Sequence, residues 1–434
     1  MKKNLLMLAV LASLLLSLPV FATNGYWAHG YGPKSKSIAG ACVAMSFGAM
    51  CAASNPASLA VVGNKLEIGA AVFAPTRGFT ANDDSYPYPA AIEPGEYESA
   101  NQYFLIPHFA YNQMLDEDSS LGVAMFANGG MNTEYNSAVF VNFNRDQMGQ
   151  PGPAEYEASS TTGIDLKQMF LVLSYSHMLN AQHSIGISPV IGVQAFSAKG
   201  LEPFKMFSLH PDKVTGNGTD YAYGAGLRLG WLWRVDEQLK IGASYQTKIY
   251  MTKFDDYEGL FAEQGNFDVP ANMDLGFSYI FAPDWTFAFN YQRIWYSDVP
   301  AIGNASDIDF SQTQGLPVLG TDDGLGFGWN DVNVYKFGLQ WEYDPKLTLR
   351  AGYSYATDAF DSSQVMFNIL APAVVKHHYT AGLGWKLDKD SEINVALMYA
   401  PEESVTGNNP NTGLQTYEVW MDQWEVEVGW GTRF

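Results

Sequence analysis

The sequence predicts an all-β fold, an antiparallel barrel crossing a membrane on 14 strands, and three observations carry that prediction. Apolar residues are 47% of the 434, yet the mean hydropathy is only −0.10, so they are interspersed with polar ones. Beyond residues 5–21 no run approaches the roughly 20 apolar residues that a membrane helix needs. From Lys65 to Phe434 apolar and polar residues alternate with period two, and the connectors between alternating segments are by turns long and short. Charged residues at 16%, aromatics at 14% and 41 glycines exclude disorder and a coiled coil.

Residues 1–22 have the form of a secretory signal. Lys2 and Lys3 precede an apolar run from Leu5, and Val20-Phe21-Ala22 forms a small-residue cleavage site, so Thr23 is the expected mature N-terminus. Losing two lysines leaves 22 basic against 45 acidic residues, about −23, which argues against nucleic acid as a partner. Cys42 and Cys51 are the only cysteines. Export into an oxidising compartment makes a disulfide between them the expectation, with two buried thiols as the alternative. No metal is expected, because no third or fourth Cys or His ligand lies near them.

The alternation separates two faces. Leu347, Leu349, Ala351, Tyr353 and Tyr355 share one parity, while Thr348, Arg350, Gly352 and Ser354 share the other. The same split recurs in Met273 to Phe281 and in Ile393 to Tyr399. A water-soluble sandwich would alternate too, but aromatic residues fall mainly at segment ends, as with Trp231 and Trp233 or Trp341 and Tyr343, in the manner of a membrane-interface girdle. The last segment places Trp424, Val426, Val428, Trp430 and Phe434 on one face and Gln423, Glu425, Glu427 and Arg433 on the other. Its alternation up to Phe434 resembles the C-terminal signal read by the outer-membrane assembly machinery.

Fourteen strands are expected near 65–74, 102–112, 120–128, 166–178, 184–197, 220–235, 239–249, 271–281, 285–295, 332–343, 347–356, 376–386, 391–400 and 418–434. Tight turns such as Asp236-Glu237-Gln238 and Asp344-Pro345-Lys346 lie on one side. Long loops, 75–101, 129–165, 198–219, 250–270, 296–331, 357–375 and 401–417, lie on the other. Short periplasmic turns and long extracellular loops are the asymmetry of an outer-membrane barrel.

Residues 23–64 stand outside this pattern, rich in Gly, Ala and Ser, as a periplasmic tail or a segment folded back into the lumen. Here Ala28-His29-Gly30-Tyr31-Gly32-Pro33, Ala39-Gly40-Ala41-Cys42 and above all Asn55-Pro56-Ala57-Ser58-Leu59 resemble the N-terminal plug, or hatch, of the FadL/TodX family of outer-membrane transporters for fatty acids and other hydrophobic compounds. Asn55, Pro56, Ala57 and Leu59 match that family's Asn-Pro-Ala-x-Leu element, and Trp329-Asn330-Asp331-Val332 and the blocks at 337–343 and 347–353 extend the similarity downstream. The resemblance implies a signal peptide at 1–22, a hatch at 23–64 and a barrel at 65–434 in the outer membrane of a Gram-negative bacterium. It also implies passive transport in which a hydrophobic compound is captured outside, held against the hatch and released sideways into the membrane, without cofactor or catalysis. The expected partners are that compound, outer-membrane lipid and lipopolysaccharide, and the assembly machinery; a monomer is the default. A general diffusion porin or a structural surface barrel is the alternative.

Residues for these steps can be named. Leu201, Phe204 and Phe207, and Phe254, Tyr257, Leu260 and Phe261, have helical spacing within two loops, so each segment presents an apolar stripe. The stripes either form an external hydrophobic groove, the role the resemblance favours, or pack on each other as a lid. Arg228, Lys336 and Arg350, with Lys376 as a further candidate, are basic residues of lumenal parity that suit a carboxylate head group, or else belong to an internal salt-bridge lattice. Asn128, Gly129 and Gly130 end the third strand where two glycines weaken pairing, which suits the inward kink associated in the family with a lateral gap, or else they are ordinary turn residues at the strand top. Ser174, Ser176 and His177 give no Ser-His-acid arrangement, so esterase activity is not expected.

Overall fold

Alternating sequence becomes a closed wall. The computed structural model describes residues 24–82, 90–144, 152–313 and 317–434; the proposed signal, residues 1–22, lies outside these. Among the described residues fourteen antiparallel wall strands run in chain order: β1 Lys65–Ala81, β2 Phe104–Met114, β3 Ser119–Tyr135, β4 Thr162–Met178, β5 His183–Lys199, β6 Asp220–Arg234, β7 Leu239–Gln246, β8 Asn272–Ala282, β9 Trp285–Ile294, β10 Val332–Glu342, β11 Leu347–Ala356, β12 His377–Lys386, β13 Ser391–Asn408 and β14 Thr416–Arg433, with two short segments, Gly95–Glu98 and Tyr250–Met251, added onto β1 and β6. Each wall strand pairs with its sequence neighbours, and β14 returns to β1 from Lys65↔Arg433 to Ala81↔Tyr417, so the sheet has no free edge. No described helix is long and apolar enough to cross a membrane; the strands do so.

The expected strand count holds, and the differences are in length. β1, β3 and β4 are 17 residues each and β13 and β14 are 18, so they rise beyond their expected ends into segments assigned to loops, whereas β7 to β12 stay near ten. The upper part of β13, 401–408, carries polar residues at every second position, which hides it from a search for apolar alternation. The turns on the opposite side repeat one device. Asp116, Asp236, Asp344 and Asp388 each accept two backbone N–H bonds through Oδ1 from residues two and three further on, closing the turn locally.

Trp424, Val428, Trp430 and Phe434 face outward, whereas Gln423, Glu425 and Glu427 are buried inside, as the parity of the last strand requires. At the turn end the outer face carries stacked indoles, with Trp285 and Trp341 4.9 Å apart.

Residues 24–64 lie against the inner faces of the strands and are nearly all buried. They form no long helix, only one α-helical turn, α1 at Pro33–Lys36, and two 3₁₀ turns at Ala49–Ala53 and Pro56–Val61. Backbone meets backbone here because the wall presents glycines: a Cβ on Gly186 would fall 2.4 Å from Ala57 N, one on Gly242 2.3 Å from Val43 O, and one on Gly352 2.4 Å from the Ile38 carbonyl carbon. Gly352→Val is therefore expected to displace the segment while the wall still closes. Overpacking of this kind costs about 1–3 kcal/mol. The check is faster trypsin cleavage at Lys34 and Lys36 in a barrel that still migrates as folded in unheated gel electrophoresis.

Candidate functional site

The segment is held by polar groups at its lower end. Asn55 caps the 3₁₀ turn at Pro56–Val61 by accepting from Ala57 N at 3.1 Å. Its amide nitrogen donates to Val43 O at 2.7 Å and to Trp231 O on β6 at 3.0 Å. Ala57 O accepts from the hydroxyls of Ser176 and Ser184, on β4 and β5, at 3.1 and 2.9 Å. Leu59 is fully buried against β3, and its carbonyl accepts from Asn112 on β2. The four residues Asn55, Pro56, Ala57 and Leu59 thus fasten the segment to five strands.

A second fastening, unassigned from the sequence, is ionic. Lys34 Nζ lies 2.9 Å from Glu67 on β1 and 2.5 Å from Glu392 on β13, and Lys36 Nζ lies 2.6 Å from Glu425 and 3.2 Å from Glu427 on β14. His108 on β2 reaches Glu427 at 2.7 Å, and Lys65 reaches Glu392 at 3.6 Å. Burial alone would lower the Lys36 ammonium's affinity for its proton. The carboxylates of Glu425 and Glu427 reverse that and hold its ammonium above the ordinary lysine value. The inner-face placement of Glu425 and Glu427 was legible in the last strand; their lysine partners, in a segment without periodicity, were not.

The expected disulfide is not formed: Cys42 and Cys51 are two buried free thiols. Cys42 Sγ is within 3.1 Å of Ser35 Oγ and 3.3 Å of Ser54 Oγ, and Cys51 Sγ points to Met45 O. Burial pushes the Cys51 thiol up to about 12, so it stays protonated and unreactive.

The basic residues of lumenal parity are engaged with the segment and the wall. Arg228 donates to Ala52 O, Ala53 O and Gln246. Lys336 donates to His29 O at 3.2 Å. Arg350 bonds Gln340 and Asn394 and lies over the Phe47 ring at 5.4 Å. This is the internal-lattice arrangement rather than an open set of head-group ligands. Lys376 lies apart from them, paired with Asp358 and Glu403.

The two apolar stripes do not line an open groove. Leu201, Phe204, Phe254, Tyr257 and Phe261 are buried, and Phe207 and Leu260 are half-buried. Their segments form only short 3₁₀ turns, at Glu202–Phe207 and Asp255–Tyr257, which turn the aromatic rings inward. Phe204 packs on Phe310 and Phe367 from two other loops at 5.6 and 5.3 Å. Beneath this cover lies a small cavity lined by apolar side chains, among them Ile164, Phe196, Leu260, Leu319 and Phe327. Close to it the segment's first residues enter an aromatic cluster, with Tyr26 5.2 Å from Tyr296 and 5.9 Å from Trp329.

The third strand departs from regular pairing where the two glycines predict it. Asn128 is an extra residue between Ala127↔Met169 and Gly129↔Gln168, and Gly129 has φ +150°. The β2–β3 ladder runs from Met114↔Ser120 to His108↔Phe126 and stops there. Beyond that point β2 pairs only with β1, as far as Phe104↔Phe73, and β3 only with β4, as far as Tyr135↔Thr162. The result is a window in the wall between 104–107 and 127–131. Its upper edge is Arg77, which donates to Asn132 O on one bank at 2.7 Å and to Asn101 O on the other at 2.7 Å. On the inside Trp27 bridges to Gly129, Ala28 N donates to Asn128 O at 2.9 Å, and Tyr31 Oη donates to Asn128 Oδ1 at 2.7 Å.

A closed 14-stranded barrel with an occupied lumen and an apolar cavity under its loops is the form of an outer-membrane transport protein. The chain belongs to the outer membrane protein transport protein family (OMPP1/FadL/TodX), whose sequence pattern matches residues 20–428. Among solved structures it is similar to the toluene transporter TodX of Pseudomonas putida, at 22% identity and a TM-score of 0.68, over 94% of this chain and 99% of that one. It is also similar to the toluene transporter TbuX of Ralstonia pickettii, at 18% identity and 0.62, over 94% and 99%. A FadL homologue of Pseudomonas aeruginosa aligns at 14% identity and 0.65, over 96% and 100%. No curated protein matches it in sequence.

Removing one partner of a buried ion pair costs about 3–5 kcal/mol, chiefly through the charge left behind. Lys36→Met is accordingly expected to loosen the segment, seen as new current fluctuations across planar bilayers, and adding Glu425→Gln with Glu427→Gln to that variant is expected to quieten them.

Proposed function

We propose that the protein carries hydrophobic compounds passively across the outer membrane, with residues 23–64 acting as a hatch inside a barrel formed by 65–434. A compound enters beneath the extracellular loops, occupies the apolar cavity they cover, passes the aromatic cluster at Tyr26 and leaves sideways through the window between β2 and β3. The observation that carries this reading is the window itself. It lies in the wall beside Trp27 and Tyr31, at the point where a bulge turns β3 away from β2, and beyond it lies the hydrocarbon of the membrane.

Physical chemistry supports such a route. Each buried methylene contributes about 0.8 kcal/mol, so an apolar cavity concentrates hydrophobic compounds from water without an energy source. Lateral exit then spares the compound a second passage through water. Transport of toluene is what the names of two structural neighbours state for those proteins; uncharged hydrocarbons of that kind suit a cavity lined by Phe196, Leu319 and Phe327.

Deleting Asn128 alone removes the extra residue while preserving the β3–β4 pairing on either side of it. The straightened strand can then continue its ladder with β2 and shut the window. Uptake of radiolabelled toluene by cells expressing this deletion is expected to fall at least tenfold, to that of cells without the protein, at equal amounts of folded barrel. Undiminished uptake would rule out exit through this window.

A further inference from the structure

Beside the bulge, inside the barrel, lies a group of uncharged polar side chains whose atoms are buried and unpartnered. Gln168 on β4 and Gln194 on β5 are directly opposed in the ladder and both fully buried. Nε2 of Gln168, both Nε2 and Oε1 of Gln194, and Oη of Tyr26 have no hydrogen-bond partner within bonding distance and angle. Tyr26 nonetheless faces Gln168 closely enough to interact with it. The bulge residue Asn128 completes the group, donating to Gln168 Oε1 at 3.2 Å. Around it the wall is apolar: Phe170 and Phe196, each two residues further along the same strand faces, are buried, as is Ile249. Phe196 lines the cavity under the loops, and Tyr26 lines a second cavity that reaches Gly130 and Met131 at the window. Neighbours of the two amides, Phe196 and Tyr26, thus line cavities at both ends of the proposed route.

Buried amides are nearly always paired, because an unpaired one forfeits its hydration without return. Gln194, with two unpartnered atoms, and the loosely matched Gln168 and Tyr26 beside it offer both donors and an acceptor to a ligand. The charge of this site limits the ligand. Arg228 and Lys336 are bonded to carbonyls of the N-terminal segment and Arg77 to carbonyls at the window, so among the described residues a carboxylate arriving here would meet no inward-facing cation able to turn to it without releasing the structure it holds.

We propose that Gln168, Gln194 and Tyr26 bind the hydroxyl group of an uncharged cargo, an alcohol or a phenol, on its way to the window. This rests on the transport reading above and narrows it. A hydroxyl accepts from Gln168 Nε2 or Tyr26 Oη while donating to Gln194 Oε1; a hydrocarbon satisfies none of these atoms, and a carboxylate cannot donate.

The test is calorimetric titration of the purified full chain in detergent with toluene, benzyl alcohol and benzoate, each corrected by a detergent-only titration. The same titrations are run on Gln168→Met with Gln194→Met, which keeps side-chain volume and removes the polar atoms. Benzyl alcohol is expected to bind the native chain at least tenfold more tightly than toluene, and benzoate more weakly than either. In the double variant the alcohol is expected to lose that tenfold while toluene affinity is unchanged, the latter showing that the barrel is folded. Toluene binding with no preference for the alcohol, or a preference that survives both substitutions, would overturn this inference and leave the transport reading standing. Failure of toluene and benzyl alcohol alike to bind the native chain would overturn the transport reading itself.

Discussion

Two lysines buried against four carboxylates determine where everything else inside the barrel lies. Lys34 joins β1 to β13 through Glu67 and Glu392, and Lys36, two residues on, meets Glu425 and Glu427 of β14. A buried ion pair is weak evidence for net stability, since desolvation opposes the attraction, but it tolerates little displacement. Here it fixes both the height and the rotation of a segment that has almost no secondary structure of its own. Once α1 is so placed, residues on its N-terminal side reach the bulge at Asn128, and those on its C-terminal side reach the serines of β4 and β5.

The wall is adapted to the segment more than the segment to the wall. Large side chains would fill a lumen of this width but would hold the backbone away from the strands. Glycine on the inner face allows carbonyls and amides of the segment to approach the sheet directly, so its polar groups find partners without forming helices. The lower half of the interior carries the buried ion pairs, beside a further cavity bordered by Tyr31, Phe47 and Met50. The upper half is aromatic and encloses a cavity.

Much of the barrel was legible because period-two alternation is a local signal, imposed on each strand by lipid on one side and lumen on the other. The extra length of β1, β3 and β13 was hidden because toward the loops the alternation of apolar and polar residues fades. The glycine pair at 129–130 pointed to the bulge because glycine is an unusual residue to keep in a strand. The loop stripes gave the apolar residues correctly but not their exposure: whether Phe204 faces water depends on Phe310 and Phe367, more than a hundred residues away. Likewise Arg228 and Lys336 announced an interior charge, but not that Ala53 and His29 carbonyls would occupy it. The cysteines misled for a related reason, since compartment and count favour a bond whereas the orientation of each thiol opposes it.

The guanidinium of Arg77 acts as a lintel. It joins the two banks of the window by side-chain bonds to main-chain oxygens, while Ala100 N bonded to Glu134 O at 2.8 Å closes the wall above it and His108↔Phe126 closes it below. The gap between carries no ladder to be torn and is framed on every side. On the proposed route a molecule would move Trp27 and release the main-chain bond of Ala28 to Asn128, without separating paired strands. The barrel bears the lateral pressure of the membrane through its frame, and on the proposed route the aperture would open without lending the rest of the sheet any freedom to unravel.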